Sequence, residues 1–500
     1  FSEVNMKEIK KDLLKANEFI KNNKKDILKY TLISFLIILV ALIPLFRSNF
    51  NYIDDLGRVR YGYRDFGFSR HISNILSIFL GTGKHLSDIS PFTQMLGGLI
   101  LSFTAALLIK LFTKDKKFNP LYSLIILPVY LNPYFLENYS YKFDSPFMAL
   151  SILVCVIPFI FYNKKSKNYL YMIISPLCIV IMTTSYQASS GIYPIITLLY
   201  AFVMYNEKED NKKITNFIIK SVISYILGLL IFKLFLEAKT YNYLNTDTFT
   251  IKELIPGIIN NYSKYFNYFI TDFKKIHYLL ITIILVSFII NTLKQTKQDK
   301  LKSLISILLV LIITILLLFG VYPALKNVQF YPRVMYPVGI LLGLISLLSI
   351  KDNKHIIPKL VGLYLSYSFV VIALTYGNCL SLQQKYTDTR INLLLNDLNK
   401  INTESSYNYK LDIVGDIKSP EPVERIRLDY KIIDRLIPPT LGDNNWVWAG
   451  YRLCYFYNLK GIEYNFGKKN NIEKYQMNKV VETKYHNIYI LDDKMLIELK

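Results

Sequence analysis

The sequence predicts a multispanning α-helical membrane protein with about eleven transmembrane helices and a small α/β domain outside the membrane at its C-terminal end. Hydrophobic residues make up 52% of the 500 residues, and the mean hydropathy is +0.27. The apolar residues form long runs, without the alternation of strands or the heptads of coiled coils. Each run is long enough, or nearly so, to cross a bilayer core of about 30 Å. The predicted spans are residues 30–46, 92–112, 119–136, 147–162, 169–185, 191–205, 214–236, 278–292, 303–320, 337–350 and 357–377.

Lysine placement sets the orientation of these spans. A run of lysines precedes the first span, so the positive-inside rule places the N-terminus in the cytoplasm. Alternation then leaves the short lysine-rich connections inside, near Lys116, Lys165, Lys212, Lys300 and Lys354. The same alternation places residues 47–91, 137–146, 186–190, 237–277, 321–336 and 378–500 outside.

Residues 1–29 are predicted to form a cytoplasmic amphipathic segment. Ile9, Leu13, Ala16 and Ile20 share one helical face with lysines around them, which is typical of a helix on the inner membrane surface. No cleavable signal peptide is expected, because charged residues rather than a small-residue cleavage site follow the first apolar run.

The first outer loop, residues 47–91, opens with a dense run of charges. Asp54 and Asp55 begin eight residues after the first span, and arginines follow them closely. Carboxylates and guanidiniums at one water-facing mouth suit the handling of an anionic headgroup. Residues 69–80 repeat apolar side chains with helical spacing, which predicts a helix lying flat in the outer interface. The other charges of the run are Arg58, Arg60, Arg64, Asp65 and Arg70.

Every arginine of the chain falls in a segment predicted to lie outside, although only 11 of the 59 basic residues are arginine. The planar fork of arginine binds phosphate through two hydrogen bonds, which lysine cannot do, so this placement suggests a phosphate ligand. The alternative explanation involves no phosphate ligand. Inner loops need only positive charge, which lysine supplies, whereas a soluble domain uses both lysine and arginine.

Three further outer turns carry polar and aromatic residues. Glu137, Tyr141 and Asp144 occur in the run ENYSYKFDSP, and Tyr186 and Gln187 occur in TTSYQAS. Membrane interfaces collect tyrosine as an anchoring belt, so any single aromatic here has a structural explanation. Convergence of these turns at one surface favours a shared site. The last turn, QFYPRVMYP, contributes Tyr331 and Arg333.

Several function classes are disfavoured by the sequence. It holds no zinc-binding spacing, Walker loop, dinucleotide fingerprint, nucleophile elbow or D-x-D motif, so nucleotide-driven chemistry is not expected. The spans carry almost no mid-membrane charge, which disfavours ion-coupled transport. The formal net charge of +22 is explained by inner lysines and anionic lipid, so nucleic acid is not an expected partner.

The four cysteines divide between the two parts of the chain. Cys155 and Cys178 fall within spans and are expected to be packing residues. Cys379 and Cys454 both fall in the outer segment, where a disulfide and two free thiols are both compatible with the sequence.

The composition turns polar near Gly377, which predicts a separate outer domain over residues 378–500 with a core of its own. The runs YKLDIVGDI, NIYILDD and KMLIELK read as strands, with a turn at Asp492 and Asp493, and DTRINLLLNDLNKI reads as a helix. Trp446 and Trp448 would either stack on a glycan or pack inside a strand.

Together these features resemble the GtrII-type glucosyltransferases, bacterial membrane enzymes of the GT-C superfamily that decorate O-antigen and related surface glycans. The resemblance rests on the first span followed by Tyr52, Asp54, Asp55 and Arg58, on the ENYSYKFDSP and TTSYQAS turns, and on the outer C-terminal domain. It implies a GT-C-like fold over residues 30–377 in a bacterial inner (cytoplasmic) membrane. The C-terminal domain would then be periplasmic or extracellular.

The resemblance implies transfer of a sugar, with glucose favoured, from a polyprenyl-phosphate donor to a surface glycan such as O-antigen. An acidic base on the first outer loop is characteristic of GT-C enzymes, and both Asp54 and Asp55 match that position. No covalent intermediate is needed, so inversion at the anomeric carbon is expected. Arg58, Arg64 or Arg333 would stabilise the phosphate leaving group. The candidate sugar or acceptor contacts are Glu137, Tyr141, Asp144, Tyr186, Gln187 and Tyr331.

The expected partners are the donor lipid, the acceptor glycan and the bilayer, with a donor-synthesising glycosyltransferase and a flippase in the same pathway. No cofactor is required, and a divalent metal between carboxylates and phosphate is compatible with the chemistry. The structural alternative for Asp54 and Asp55 is a solvated loop start. The functional alternatives are an oligosaccharide polymerase or ligase with a polyprenyl-pyrophosphate donor, or an exporter of lipid-linked glycans.

Overall fold

The computed structural model describes residues 3–62, 64, 69–113, 117–237, 247–403, 408–443, 448–465 and 474–500. Within these ranges the chain is mostly helical, and seven helices are long and apolar enough to cross a membrane. The protein is therefore a multispanning membrane protein. Those seven are α1 (Glu3–Ser48), α4 (Phe92–Thr113), α9 (Ile192–Asn206, preceded by a 3-10 turn), α10 (Asn211–Ile231, continued by a π-helical turn), α12 (Lys275–Gln295), α13 (Lys300–Leu317) and α16 (Ile356–Thr403).

The loops and the C-terminal domain predicted to lie outside are called the outer loops and the outer domain. The other helices complete the membrane part and the outer loops. They are α2 (Asp54–Tyr61), α3 (His71–Leu80), α5 (Leu121–Ile125), α6 (Phe135–Ser140), α7 (Ser145–Val156, extended by 3-10 turns to Phe161), α8 (Tyr169–Ser185), α11 (Ile251–Asp272), α14 (Pro332–Met335) and α15 (Pro337–Ile350).

The predicted spans agree with these helices except at one place. Seven of them match the long helices, and three match the shorter apolar helices α7, α8 and α15. The span predicted at 119–136 is instead a series of short helical pieces, because Pro128 and Pro133 interrupt it. The count of eleven therefore stays a prediction.

The broken segment and the turn that follows it nevertheless reach from Tyr30 to Asn49, the length of the first span. At one end the Asn119 N–H donates to the Tyr30 hydroxyl, at 3.0 Å. At the other end Lys142 Nζ donates to Asn49 Oδ1, at 2.6 Å. Residues 30 and 49 are about 28 Å apart along a helix that rises 1.5 Å per residue. The segment therefore covers about one bilayer core without a continuous helix.

Side chains satisfy the backbone groups that the helix breaks release. The Tyr130 hydroxyl donates to the Ser123 carbonyl and the Tyr139 hydroxyl donates to the Tyr130 carbonyl, both at 2.8 Å. Gln94 on α4 donates to the Tyr139 carbonyl at 3.0 Å. Irregular backbone at this depth is tolerated only with such partners, since buried groups find no water.

The N-terminal segment is not a separate surface helix. Residues 7–20 form the first turns of α1, which passes residue 29 without a break. Asp12 is fully buried there, and it accepts hydrogen bonds from the Ser166 hydroxyl and the Leu170 N–H. These bonds hold the first turns against the 163–170 connection, so the segment is fixed to the rest of the protein as part of α1.

The helix α3 covers most of the predicted residues 69–80, and its apolar side is exposed. Ile75, Leu76 and Phe79 are exposed, whereas Ser73 and Ser77 are buried against the protein. Ser73 Oγ donates to the Ser185 carbonyl at 3.2 Å. This arrangement suits a helix whose apolar side meets lipid.

The last span and the outer domain share one helix. The composition change at Gly377 lies inside α16, which continues to Thr403. A Cβ atom at Gly377 would lie 2.4 Å from the Leu45 backbone nitrogen, so glycine allows α16 and α1 to pack at very short distance. The outer domain therefore continues from the membrane without a flexible linker.

The described part of the outer domain is built on a five-stranded mixed sheet in the order β2-β1-β5-β4-β3. β1 is parallel to both neighbours, and β4 and β5 form a hairpin whose turn is at Asp492 and Asp493, so the predicted strands and turn are confirmed. Ile391, Leu394 and Leu398 of α16 share a buried core with the sheet, which confirms the predicted helix. The strands are β1 (Tyr409–Val414), β2 (Ile462–Tyr464), β3 (Asn478–Glu482), β4 (His486–Leu491) and β5 (Lys494–Leu499), with α17 (Glu421–Asp429), α18 (Lys431–Leu436) and α19 (Trp448–Gly450, continued by a π-helical turn, Tyr451–Phe456) between β1 and β2.

The disulfide considered between Cys379 and Cys454 does not form. All four cysteines lie in the described ranges, and all four are free and buried. Cys379 packs in the core of the membrane part, and Cys454 packs in the separate core beside the sheet. The two thiols belong to different hydrophobic clusters and cannot meet.

The outer domain is bound to the membrane part by a buried ion pair. Arg435 on α18 pairs with Asp272 at the end of α11, and it also donates to the Phe330 carbonyl. Asp272 accepts a second hydrogen bond from the Tyr134 hydroxyl at 2.9 Å. Close by, the Tyr52 hydroxyl donates to the Leu436 carbonyl at 2.7 Å. Residues from three outer loops thus meet α18.

Replacing Arg435 with Ala should destabilise the protein by about 3 kcal/mol, because removal of one partner leaves the buried Asp272 charge uncompensated. The matched control is Arg425→Ala on α17, whose pair with Glu421 is exposed and should contribute at most about 0.5 kcal/mol. Thermal unfolding can be followed with a thiol-reactive fluorogenic dye, since the cysteines are buried. Equal unfolding temperatures for the two variants would contradict this account.

Candidate functional site

The candidate site is organised around α2, which begins immediately after the first span ends. Ile53 has a positive φ of 43°, and this sharp bend starts the helix with Asp54 and Asp55 in its first turn, where the helix dipole favours negative charge. The helix ends at Gly62, with φ of 66° and its N–H donating to the Arg58 carbonyl at 2.8 Å. A Cβ at Gly62 would lie 2.4 Å from the His85 imidazole, so the turn requires glycine.

Asp55 is fully buried, and its side chain connects two outer loops through hydrogen bonds. Its Oδ2 atom accepts the Tyr52 N–H at 3.0 Å and the Lys142 N–H at 3.2 Å. Its Oδ1 atom has no hydrogen-bond partner within the described chain. Burial raises the pKa of Asp55 to about 8, and the two backbone hydrogen bonds only partly oppose this rise.

Asp54 differs from its neighbour, because it is only half-buried. Among the described residues none donates a hydrogen bond to its carboxylate or forms an ion pair with it. It shares one face of α2 with Arg58, four residues further on, and its charge also acts on Arg333 and Tyr141. Of the two adjacent carboxylates, Asp54 is the one open to the site.

Asp144 gathers the arginines of the first loop. Its carboxylate pairs with Arg64 and, at 3.4 Å, with Arg58. Arg64 also donates to the Phe143 carbonyl at 2.6 Å, and Arg70 is near enough to act on the Asp144 charge. Burial alone would raise the pKa of Asp144, but Arg64 and Arg58 outweigh it and hold this pKa well below its usual range. Two guanidiniums therefore share the Asp144 carboxylate, with a third nearby, so guanidiniums outnumber the carboxylate they surround.

Glu137 and Arg333 form a second ion pair across the site. Glu137 accepts the Arg333 backbone N–H at 2.7 Å and its Nη1 at 2.9 Å. Arg333 Nη1 also donates to the Tyr141 hydroxyl, and its guanidinium lies 4.7 Å from the centre of the exposed Tyr331 ring. This arginine is thus neutralised by its own carboxylate, unlike the cluster at Asp144.

Tyr186 completes the contact network. Its hydroxyl donates to the Arg333 carbonyl at 3.2 Å, and the Arg70 guanidinium lies 5.3 Å from the centre of its ring. Gln187 is half-buried beside it and makes no hydrogen bond to the part of the chain that the structure describes. Contacts therefore link the predicted site residues except Asp54, which shares α2 with Arg58, and Gln187, which is near them by sequence. Asp65 lies outside the described residues.

Two residues at the site were not singled out as site residues from the sequence. Arg70 contributes charge to the Asp144 cluster, and its place in the first-loop charge run was the available signal. Lys142 contributes its backbone N–H to Asp55, while its buried side chain donates to Asp88 at 3.1 Å. A backbone donor leaves no signal in sequence. Within the described ranges no three His, Cys, Asp or Glu side chains are grouped to hold a metal ion.

The fold and site together define a multispanning membrane protein with carboxylates and guanidiniums clustered at the end of its first span. The chain belongs to the glucosyl transferase GtrII family, whose model matches residues 43–344, and this confirms the resemblance noted from the sequence. That range contains α2 and the three polar turns.

One curated relative is an uncharacterized 55.3 kDa protein in the gtrB 5′ region of Salmonella phage P22. It is 28% identical over 429 residues, which cover 81% of this chain and 85% of the relative. No solved structure matches the chain. The family identifies a glycosyltransferase of the glucosyltransferase type.

Asp55→Asn should flatten the pH dependence of stability. Because the folded pKa of about 8 lies above the ordinary value near 4, the native state binds more protons than the unfolded state between these values. The contribution of Asp55 to stability therefore falls as pH rises from about 4 to about 8. Asparagine keeps an acceptor oxygen and carries no charge, so the variant should be the more stable protein at pH 8.

Thermal melts followed by circular dichroism at several pH values between about 5 and 9 measure this difference. Parallel pH profiles for the wild type and Asp55→Asn would show that the carboxyl is ionised in the folded protein throughout.

Proposed function

We propose that this chain is an inverting glucosyltransferase that moves glucose from a polyprenyl-phosphate donor to a bacterial surface glycan such as O-antigen. The reaction would take place on the outer side of the bacterial cytoplasmic membrane, with the N-terminus inside and the C-terminal domain outside. The observation that carries the proposal is a carboxylate open to the site, Asp54, on the same short helix as Arg58, where guanidiniums outnumber the carboxylate they share.

Asp54 is proposed as the general base. Attack by an acceptor hydroxyl requires removal of its proton, and a positioned carboxylate contributes about 10²–10⁴-fold. Asp54 is half-buried and unshared, whereas Asp55 is committed to the Tyr52 and Lys142 N–H groups. The proposed role of Asp55 is to hold the base in position.

The phosphate of the donor is proposed to bind at the Asp144 cluster. Arg58 and Arg64 each present several donors, and the Nε atoms of both are buried without a hydrogen-bond partner in the described chain. Negative charge grows on the phosphate as its bond to the sugar breaks, so these cations stabilise the transition state more than the ground state. Arg333 would act with them less directly, because Glu137 already neutralises it.

Direct displacement gives a balanced reaction. The acceptor oxygen bonds to the anomeric carbon while its proton passes to Asp54, and the bond between that carbon and the phosphate oxygen breaks with its electrons going to the phosphate. No second carboxylate is open to act as a nucleophile among the described site residues, which favours inversion.

The other predicted contacts divide by their surroundings. Glu137 and Asp144 position arginines, and Tyr141 binds Arg333, so these three are proposed as supporting residues. Tyr331, Gln187 and Tyr186 remain proposed contacts of the sugar or acceptor.

A donor-synthesising glycosyltransferase and a flippase are the proposed pathway partners. A metal is proposed to be unnecessary, which chelation with EDTA during turnover would test.

The decisive experiment uses purified protein with polyprenyl-phosphate glucose radiolabelled in the sugar. Label is counted in unreacted donor, free glucose and polysaccharide, with and without a crude envelope glycan extract. Acceptor-dependent transfer is expected, and NMR of the new linkage should show the anomeric configuration opposite to that of the donor. No transfer from an intact donor would overturn the proposal and favour an oligosaccharide pyrophosphate donor.

Asp54→Asn should lower kcat by about 10²–10⁴-fold, because the amide cannot accept the proton. Asp55→Asn is the matched neighbour and should lose less than about tenfold, since its amide oxygen still accepts the two N–H groups. Label transfer at saturating donor and acceptor measures both. The reverse order of effects would assign the base to Asp55.

Arg58→Gln should lower kcat by about 10²-fold with a smaller change in donor KM, because its charge matters most when the leaving group is fully anionic. Arg425→Gln on the exposed face of α17 is the control for loss of one positive charge. Steady-state kinetics against donor concentration separate the two constants. A pure rise in KM would assign Arg58 to ground-state binding.

A further inference from the structure

A cluster of tyrosines lies where the outer domain meets the end of α2, and the mechanism above does not use it. The Arg60 guanidinium lies 3.5 Å from the centre of the Tyr455 ring, 4.4 Å from Tyr451 and 4.8 Å from Tyr61. The Tyr61 and Tyr451 hydroxyls are 2.8 Å apart. We call Arg60, Tyr61, Tyr451 and Tyr455 the tyrosine platform.

Packing against Trp448 holds the platform in place. Trp448 packs edge-on to Tyr451, with ring centres 5.5 Å apart, and also lies against Gly57 of α2. A Cβ at Gly57 would lie 3.2 Å from the indole, so glycine lets the outer domain approach the helix closely. The rings of the platform are therefore fixed by packing, while Tyr61 keeps 46% and Tyr455 keeps 39% of its surface exposed.

The platform is aligned with the proposed base. Asp54, Arg58 and Tyr61 are spaced i, i+4 and i+7, so they lie along one face of α2. Asp54 and Tyr61 are about 10 Å apart along the helix axis at 1.5 Å per residue. A chain of sugars lying along this face would reach from the platform to the base.

We propose that the tyrosine platform binds a saccharide unit of the acceptor glycan and thereby presents the neighbouring unit to Asp54. This inference rests on the proposed function. The C–H faces of sugar rings pack on aromatic rings, and the Arg60 guanidinium and tyrosine hydroxyls supply hydrogen bonds to sugar hydroxyls. Rigid rings with a few polar groups among them are typical of specific ligand sites.

An interfacial tyrosine belt is the competing explanation, and the surroundings favour the glycan. Two of the rings belong to the π-helical turn Tyr451–Phe456 of the outer domain rather than to a membrane helix. Tyrosines of an interfacial belt lie singly in the headgroup layer. Here three rings pack around the Arg60 guanidinium, and the Tyr61 and Tyr451 hydroxyls hydrogen-bond to each other. That arrangement fits a neutral, polyhydroxylated ligand.

The chain offers a direct optical probe of this site. Its only two tryptophans are Trp446 and Trp448, and Trp448 contacts the platform through Tyr451. Polysaccharide is released by mild acid from the envelope of the bacterium that carries the protein. It is titrated into the purified protein while tryptophan emission is recorded. A saturable change is expected, and it requires neither donor nor turnover.

Tyr455→Ala and Tyr61→Ala should each weaken this binding by about tenfold and raise the acceptor KM by more than they lower kcat. Tyr485→Ala, which removes an equally exposed tyrosine from the β3–β4 turn of the same domain, should leave both values at wild type. Tyr455→Phe keeps the stacking face and should retain most of the affinity.

Unchanged affinity and acceptor KM in both alanine variants would overturn the platform while leaving glucosyl transfer intact. A tryptophan shift on transfer from detergent into nanodiscs, with no response to polysaccharide, would assign the rings to the membrane interface and also overturn it. Polysaccharide binding that needs Tyr455, in a protein that transfers no glucose from the polyprenyl-phosphate donor, would support the platform and refute the proposed reaction.

Discussion

The polar groups where the outer loops meet are buried, so they must pair with one another. This constraint acts most strongly on the carboxylate of Asp55. It accepts backbone N–H groups from the end of the first span and from the 137–146 turn, two segments far apart in sequence. Together with the Arg58–Asp144 pair, that connection fixes α2 relative to the 137–146 turn and so gives Asp54 a defined position. One buried side chain therefore positions groups that it does not itself contact.

The two carboxylates that gather arginines divide the positive charge unequally. Glu137 matches Arg333 one for one, so that pair mainly joins α6 to α14. Asp144 is shared by Arg58 and Arg64 with Arg70 nearby, so the same kind of interaction leaves excess charge. The site is thus polarised, with the anion-attracting side on the first loop and the neutral, aromatic side at Tyr331 and Tyr186. Such an arrangement suits a substrate with a charged phosphate at one end and a sugar at the other.

Hydrophobic runs were sufficient to locate most helices, because a long apolar helix in lipid needs no partner to define it. Hydrophobicity alone did not reveal the helix breaks at residues 119–136. There prolines interrupt the helix, and the hydroxyls of Tyr130 and Tyr139 replace missing backbone hydrogen bonds. The outer charge cluster was visible in sequence, but the difference between Asp54 and Asp55 was not. That difference depends on which residue faces Lys142, a contact across 87 positions. The separate cores of Cys379 and Cys454 likewise depend on tertiary packing, which spacing alone does not encode.

The helix α16 is continuous for 48 residues, from the inner side of the membrane part to the core of the outer domain. At 1.5 Å per residue it is a rod about 70 Å long, of which less than half can lie in the hydrocarbon. A rod of that length is a lever, so a change in its tilt within the bilayer would load the Arg435–Asp272 pair and the Tyr52–Leu436 hydrogen bond, which hold the outer domain to the membrane part. Bilayer thickness, which influences such tilts, would then act on the contacts that join the two parts of the protein.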